Sequence, residues 1–414
     1  MASVQAAVPV MGLDPTSTTE NKSSVTTNKF NPSKAALQTE YIDSGAGYFT
    51  SKFSVSEESI KFISPRAIKS IKSIPVKVGD TFTIAEYGCA DGGNSTPLMY
   101  ACVKELRSLY GNELEVHINY EDKPDNDFKS LFYFLQGLLP ATPSYLADFP
   151  SVFVSATGTN FYDQCFPSGS VNFGFCCLAA QWLSQKPCNL TKAVLHSLSE
   201  DPDERNEFSK QAEKDWERFL LMRARELSKG GRLALIVSVS EVDYNSSVTN
   251  IEKRKDIVRN TPSFSPIYSA LYKVWEGMAK DSIITENEVK EMTIPEYFRT
   301  HEELTKPFMS DESSVRKAGL TLVSVEIKDF LLPQTKLFQE TGDAKLAARL
   351  TTGQTRAWSN SLFLSTLDGQ RYTPEQKKEI LNEYFYRLEE ELLSSPEYYM
   401  LLAMRNAFII IEKS

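Results

Sequence analysis

EYGCADGGNS, Glu86 to Ser95, follows directly on the apolar run FTIA of Phe82 to Ala85 and sets Gly88, Gly92 and Gly93 within six positions. A short apolar run closed by a glycine turn reads as a buried strand whose carboxyl end meets a ligand. The chemistry of the turn narrows that ligand. A phosphate-cradling loop needs G-x-x-x-x-G-K-[ST], and here Asn94 and Ser95 stand where a lysine would neutralise phosphate. A dinucleotide fingerprint wants G-x-G-x-x-G, which the spacing Gly88, Gly92, Gly93 with Asp91 between them does not supply. The order strand, acid, G-x-x-x-G-G instead fits S-adenosylmethionine, whose amino-acid end needs acceptors for an ammonium, and Glu86 can supply one.

Outward from the turn the pattern repeats. STPLMYACVKELRSLYG reads as a helix, and ELEVHINY as a strand ending in the acids of NYEDKPDNDF. Glu121 and Asp122 are the candidates there to accept hydrogen bonds from both hydroxyls of a ribose. Helical NDFKSLFYFLQGLL, then strands SVFVSATG and SVNFGFC, continue the alternation of a βαβ sheet. The charged helix EFSKQAEKDWERFLLMRARELSKGG, expected to close at the Gly230 and Gly231 pair, leads into the strand RLALIVSVS. The expected organisation is a low-apolar, disordered tail over 1–36, an α/β core over 37–240, a helical cap insert over 241–318, and a return to the sheet over 319–414. No internal repeat is visible.

Composition sets the outer limits. A chain of 414 residues, 41% hydrophobic and 24% charged, can bury a large core. With 45 basic and 54 acidic side chains the net charge is −9, which repels polyanions and argues against a nucleic-acid partner. No window approaches the roughly 20 apolar residues of a membrane span, and the N-terminus lacks a secretory pattern, so a cytoplasmic protein is expected. The six cysteines form no C-x-x-C spacing and are accompanied by three histidines, so reduced, buried thiols are expected and no metal site.

Several stretches together resemble the plant salicylic acid, benzoic acid and theobromine methyltransferases, the SABATH family. EYGCADGGNSTPL is similar to their D-L-G-C-S-S-G-P-N-T turn, PDNDFKSLF to P-G-N-D-F-N-x-L-F, and GTNFYDQCFPSGSVNFGFCCLAAQWLSQKP to G-S-F-Y-x-R-L-F-P followed by H-S-S-Y-S-L-x-W-L-S-x-x-P. SKGGRLAL, IPEY at 294–297 and TRAWSNSLF at 355–363 have counterparts too. The resemblance runs from about residue 40 to the C-terminus. It implies a class I methyltransferase fold: a Rossmann-like, seven-stranded α/β sheet with a helical cap over the ligand edge. It also implies S-adenosylmethionine as cofactor, homodimers, and methylation of small carboxylic acids on oxygen, occasionally of ring nitrogen.

Carried onto this chain, the resemblance puts Glu86 near the methionine end of the cofactor, Gly88 and Asn94 in the turn, and Asp122 on the ribose. Lys123 stands where a leucine meets the adenine, and Asn160 and Phe161 match a Ser-Phe pair along the adenine. YIDSGAGYFTSKF is similar to an N-terminal segment that closes over cofactor and substrate, with Thr50 in place of its serine and Tyr48 and Ser51 nearby. In the relatives a glutamine of that segment and the tryptophan of W-L-S-x-x-P hold the substrate carboxylate. Trp182 is present, but Phe53 occupies the glutamine's position, and Gln181 is the candidate to restore the lost hydrogen bond. Leu178 replaces a tyrosine, while Phe175 and Cys176 replace small or polar residues, so an apolar pocket and an aliphatic or isoprenoid acid are expected. Trp275 and Tyr268 of the insert are candidates for the far wall, the alternative being that they only pack their helix. Three functions stay open: carboxyl methylation, methylation of nitrogen, and a catalytically silent cofactor-binding partner in a dimer. A nucleotide-dependent oxidoreductase is a more distant fourth.

Overall fold

The computed structural model describes residues 46–53, 55–77, 79–139, 143–240 and 265–414. The expected tail over 1–36 and the first part of the expected insert, 241–264, lie outside the described residues. The sheet has seven strands: β1 Phe82–Tyr87, β2 Val116–Asp122, β3 Val152–Gly158, β4 Val171–Cys177, β5 Leu227–Ser238, β6 Leu320–Leu331 and β7 Ala403–Lys413. They lie side by side in the order β3-β2-β1-β4-β5-β7-β6. β1 to β5 pair in parallel, and β7 runs antiparallel to both β5 and β6.

The central strands are apolar nearly throughout because both faces of the sheet are covered. FTIAEY in β1 and VNFGFCC in β4 alternate only weakly, and most of their side chains are buried. The edge strand β6 shows the opposite texture, with alternate residues exposed. On one face, α2 Val55–Ser73 and α3 Thr96–Tyr110 pack against the sheet and each other. On the other, the helix Pro202–Glu226 buries Trp216, Phe219 and Leu220 against β4, β5 and β7.

Register brings the chemistry to one edge. Tyr87 of β1 lies beside Glu121 of β2 and Cys176 of β4, so these three strands end together. Between β1 and β4 the strand order reverses, and a crevice opens at the carboxyl ends of adjacent strands at such a point. The glycine turn, Asp122 at the end of β2 and the AQW segment after β4 all empty into it.

Two expectations need correction. The Gly230–Gly231 pair does not end a helix: the helix stops at Glu226, and β5 begins at once with Leu227. Gly230, at φ +79°, instead sits in a bulge where the β4 to β5 register slips between Val171 and Phe173. A Cβ on Gly231 would meet the Ser228 carbonyl at 2.8 Å, so the bulge and not a cap requires the small residues. The cap, secondly, is built from two separate parts of the sequence. Ser265–Lys280 packs against Pro374–Ser394, and Ala344–Thr366 against Pro374–Ser394, so the segment between β6 and β7 contributes as much as the insert does. A polar, amphipathic helix gives no signal of which layer it joins, which is why this part of 319–414 read as sheet completion.

Candidate functional site

A cavity of about 690 Å³ opens at the carboxyl edge of β1, β2 and β4 and runs beneath the cap. Its floor is the glycine turn. Gly88 and Gly92 hold φ of +74° and +72°, a region that side chains rarely adopt. A Cβ on Gly88 would lie 2.4 Å from the Ala179 Cβ, and one on Gly92 would lie 2.3 Å from Leu131 Cδ1. These glycines let the turn pack against the segment after β4 and against α4 Phe128–Leu135, bringing its backbone to the cavity. Gly92→Ala is therefore expected to cost about 2 kcal/mol, from the left-handed backbone plus overlap with the buried Leu131. A thermal melt checks this, and an unchanged midpoint would show that the turn is looser than its geometry.

Acceptors gather on this floor. Glu86 is buried, accepts the Ser95 hydroxyl at 2.6 Å, and is pushed up to about 8 by burial, against which the Ser95 bond acts, with Asp122 nearby adding to the rise. A buried acid so held gains its charge when a cation docks against it. Asp122, at the end of β2, accepts the Ala90 amide at 2.7 Å on one oxygen and the Lys123 amide at 2.8 Å on the other. Each oxygen keeps a second lone pair for a ligand. Asp122 lines the cavity and Glu121 does not: the Glu121 side chain turns back under the turn toward the Gly88 amide at 3.4 Å, and burial raises it to about 8. The alternation of side chains along a strand sends only one of the two adjacent acids to the ligand side.

Lys123, Asn160 and Phe161 also line the cavity. The Asn160 side chain accepts the Tyr162 amide at 3.0 Å and shapes the turn that presents Phe161. Phe161 meets Phe219 edge-on, and its carbonyl accepts Arg223 at 2.7 Å from below. A flat ligand placed beside Asp122 would find Phe161 and the stem of Lys123 as its walls.

Over the floor folds the N-terminal segment. α1 Tyr48–Lys52 sets Phe49 into the cavity wall, and Phe53 follows. Thr50 and Tyr48 do not reach the cavity. Thr50 is a latch, its amide donating to Asp91 at 2.8 Å and its hydroxyl to the other oxygen of the same carboxylate. Burial raises Asp91, and the Thr50 bonds counter it. Ser51 turns away, donating to the Tyr48 carbonyl at 2.8 Å. Asn94 lines the cavity and donates to the Phe53 carbonyl at 3.0 Å, so the turn and the N-terminal segment are tied twice.

The far end is framed by the segment after β4. Leu178 adopts φ +52°, a strained backbone for a leucine, and lines the cavity. Trp182 is half-buried and lies 6.1 Å from Trp358, which lies 5.7 Å from Tyr268. Gln181 is buried, and its amide donates to the Leu178 carbonyl at 2.9 Å. A second strand of chain runs alongside: the Leu183 amide donates to the Pro295 carbonyl at 2.7 Å, and the Tyr297 amide to the Gln181 carbonyl at 2.9 Å. This pairing places Glu296 beside Gln181. Glu296 is buried in the wall, accepts the Tyr268 hydroxyl at 2.5 Å, and is pushed up to about 7 by burial, with Tyr268 and Gln181 acting the other way.

Trp275 is not part of the wall. It is fully buried in the cap between Phe363 and Tyr384, at 5.0 and 5.1 Å, and its indole donates to the Glu288 carbonyl at 3.2 Å. Tyr268, two turns earlier on the same helix, does reach the cavity. Phe175 and Cys176 are buried in β4 and do not face the ligand either, so the apolar lining comes from Phe49, Phe53, Leu178, Phe298, Leu362 and Met404. Glu296 and Trp358 lie within IPEY and TRAWSNSLF, whose sequence flagged the segments but not the residue in each that turns inward. A glutamate amid I-P-x-Y-F was the one signal available for the first. All six cysteines are unpaired, and among the described residues no cluster of metal ligands occurs and no helix is long and apolar enough to cross a membrane.

Comparison with known proteins agrees with this architecture. The family model for SAM dependent carboxyl methyltransferases matches residues 51–405. Gibberellic acid methyltransferase 2 of Arabidopsis thaliana is 25% identical over 265 residues, 60% of this chain and 64% of that protein. The S-adenosyl-L-methionine:benzoic acid/salicylic acid carboxyl methyltransferase 3 of Petunia hybrida is 27% identical over 226 residues, 53% of this chain and 59% of the relative. The matched region thus spans less than two thirds of either relative. Among solved structures, loganic acid methyltransferase with SAH superposes with a TM-score of 0.66 at 18% identity, covering 90% of this chain and 98% of that one, which supports the fold.

Proposed function

We propose that this chain, which belongs to the family of S-adenosylmethionine-dependent carboxyl methyltransferases, transfers a methyl group from that cofactor to the carboxylate of a small, largely apolar acid. The observation that carries the reading is the single cavity wall on which ammonium and diol acceptors, Glu86 and Asp122, stand at one end and the aromatic group Trp182, Trp358 and Tyr268 at the other.

The residues present fit the cofactor. Glu86 offers a buried acceptor for its ammonium, Asp122 two free lone pairs for its ribose hydroxyls, and Phe161 and Lys123 a slot for its adenine. Bound there, S-adenosylmethionine would supply a methyl carbon on a positively charged sulfur; its transfer to a carboxylate oxygen would break the carbon–sulfur bond and leave a neutral thioether and a neutral ester. No proton has to be removed, because the acid is already ionised near pH 7. The chain's part is then to orient and to exclude water. Phe49 and Phe53 close the cavity from the N-terminal side, held down by the Thr50–Asp91 and Asn94–Phe53 bonds. Trp182 positions the acid, its backbone fixed by the Ala179 carbonyl at 3.0 Å and by the Tyr162 hydroxyl. Holding oxygen, carbon and sulfur in line can be worth about 7 kcal/mol or more.

The test is to incubate the protein with methyl-labelled cofactor and a panel of aliphatic, isoprenoid and aryl acids, and to look for base-labile label. Absence of any ester would remove the reading. Trp182→Ala is expected to lower kcat at least about tenfold while leaving cofactor affinity within about twofold, since Trp182 stands at the acid's end of the cavity. Equal losses of both would show that Trp182 supports the fold instead. The net charge of −9 fits a small-molecule partner better than nucleic acid. A homodimer, which the family resemblance implies, acting in the cytoplasm completes the proposal.

A further inference from the structure

At the acid's end of the cavity the walls offer acceptors where an apolar acid would need none. Glu296 and Gln181 are 5% exposed each and stand side by side in the wall. Gln181 has given an amide hydrogen to the Leu178 carbonyl, and among the described residues its own carbonyl oxygen, buried, has no partner. The orientation is fixed, since turning the amide over would set its oxygen against the Leu178 carbonyl. The Tyr268 hydroxyl donates its one hydrogen to Glu296, so it has none left for a ligand. Among the described residues that line the cavity Lys123 is the one cationic side chain, and it lies at the opposite end beside Asp122. Glu296 is already met by Tyr268 and Gln181, so the buried acceptor left without a donor among the described residues here is the Gln181 oxygen, and leaving it so is unfavourable. A ligand that brings a donor recovers this; a plain hydrocarbon tail does not.

Resting on the carboxyl-methylation reading, we infer that the substrate carries a hydrogen-bond donor, a hydroxyl or an amine, at a distance from its carboxylate, and that Glu296 with the Gln181 carbonyl selects for it. Trp182 and Glu296 pair across a backbone bridge, and the carboxylate of the substrate goes to the Trp182 side chain and not to Glu296, because two like charges would repel. This divides the far end into a methylation point and a recognition point. It also reassigns Gln181: its buried oxygen accepts from the substrate, so it does not replace the missing glutamine that would have donated to the carboxylate.

The experiment uses the full chain with methyl-labelled cofactor and straight-chain acids from butanoic to decanoic, each plain, with a terminal hydroxyl, and with a terminal amine. At one chain length or more, a donor-bearing acid is expected to exceed its plain counterpart at least about tenfold in kcat/KM, giving a base-labile ester. In Glu296→Leu that advantage disappears. In Glu296→Gln, which keeps an acceptor oxygen but no charge, a hydroxyl's advantage survives and an amine's is lost, which tells the two sources apart. Both variants must first bind the cofactor as the parent does, a readout independent of turnover. Plain acids methylated as well as the donor-bearing ones at every length, or an advantage that survives Glu296→Leu, would overturn the inference and leave carboxyl methylation standing. Base-stable label on nitrogen, or no ester from any acid, would overturn carboxyl methylation and the inference with it.

Discussion

Asp122→Ala should raise the dissociation constant for S-adenosylmethionine at least about a hundredfold, the largest change in cofactor affinity expected from a single substitution at the site. Two hydrogen bonds from vicinal hydroxyls to one carboxylate are charge-assisted, each worth roughly 1.5 to 3 kcal/mol, and a hundredfold loss needs about 2.7 kcal/mol in all. Asp122 can accept both because its two oxygens are already held apart by the Ala90 and Lys123 amides. Those bonds also make asparagine a poor substitute. In Asp122→Asn the new amide nitrogen would face one of the two backbone N–H groups, donor against donor, so this variant should come within about tenfold of the alanine variant and not of the parent. Titration calorimetry gives the constants, and a thermal melt controls for folding. Cofactor affinity unchanged in Asp122→Ala would place the ribose elsewhere, and Glu121, tucked beneath the turn, offers no second candidate.

What could be read from the chain follows from how locally each feature is encoded. The sheet was legible because a strand, its turn and the next helix are contiguous, and each carries its own apolar period and breaker. The glycine-turn end of the cavity was legible for the same reason: Glu86, Gly88 and Asn94, which line it, lie within nine positions of one another, and Asp122 ends the very next strand. The far end of the cavity, proposed to take the acid, is assembled differently. Trp182 and Gln181 follow β4, Tyr268 and Glu296 come from the insert, and Trp358 comes from the segment between β6 and β7. Nothing local says that Trp358 faces inward while Trp275, equally aromatic and equally helical, is sealed between Phe363 and Tyr384. The face a helix presents is fixed by its packing partner, and here the partners are distant in sequence. Thr50 failed as a cofactor contact for a related reason. A short polar side chain near a glycine turn can serve ligand or turn, and the buried Asp91 takes it first.

Arg223→Met is expected to cost about 3 to 5 kcal/mol of stability, because it strands a charge that the fold has already buried. Arg223 and Glu226 are fully inaccessible and joined through two bonds, Nε to Oε2 and Nη2 to Oε1, both 2.9 Å. The guanidinium lies 4.0 Å from the centre of the Tyr87 ring, and the Tyr87 hydroxyl donates to Glu226 at 2.6 Å. Taking away one partner of such a pair leaves the other uncompensated in low dielectric, a far larger loss than the pair's net contribution. Arg223→Met with Glu226→Leu removes the stranded charge and should recover at least half of the loss, as measured by urea midpoint. A recovery would not extend to the cofactor. Arg223 also donates to the Phe161 and Asp163 carbonyls, at 2.7 and 2.9 Å, and Glu226 accepts the Phe166 amide at 3.3 Å, so together they hold from beneath the loop that presents Phe161. With both gone the loop keeps its sequence but loses its anchor, and affinity for the cofactor should stay at least about tenfold below the parent's while stability returns. A double variant no more stable than the single would show that the pair strands no charge, and one that regains full affinity would show that the pair does not position the loop that presents Phe161.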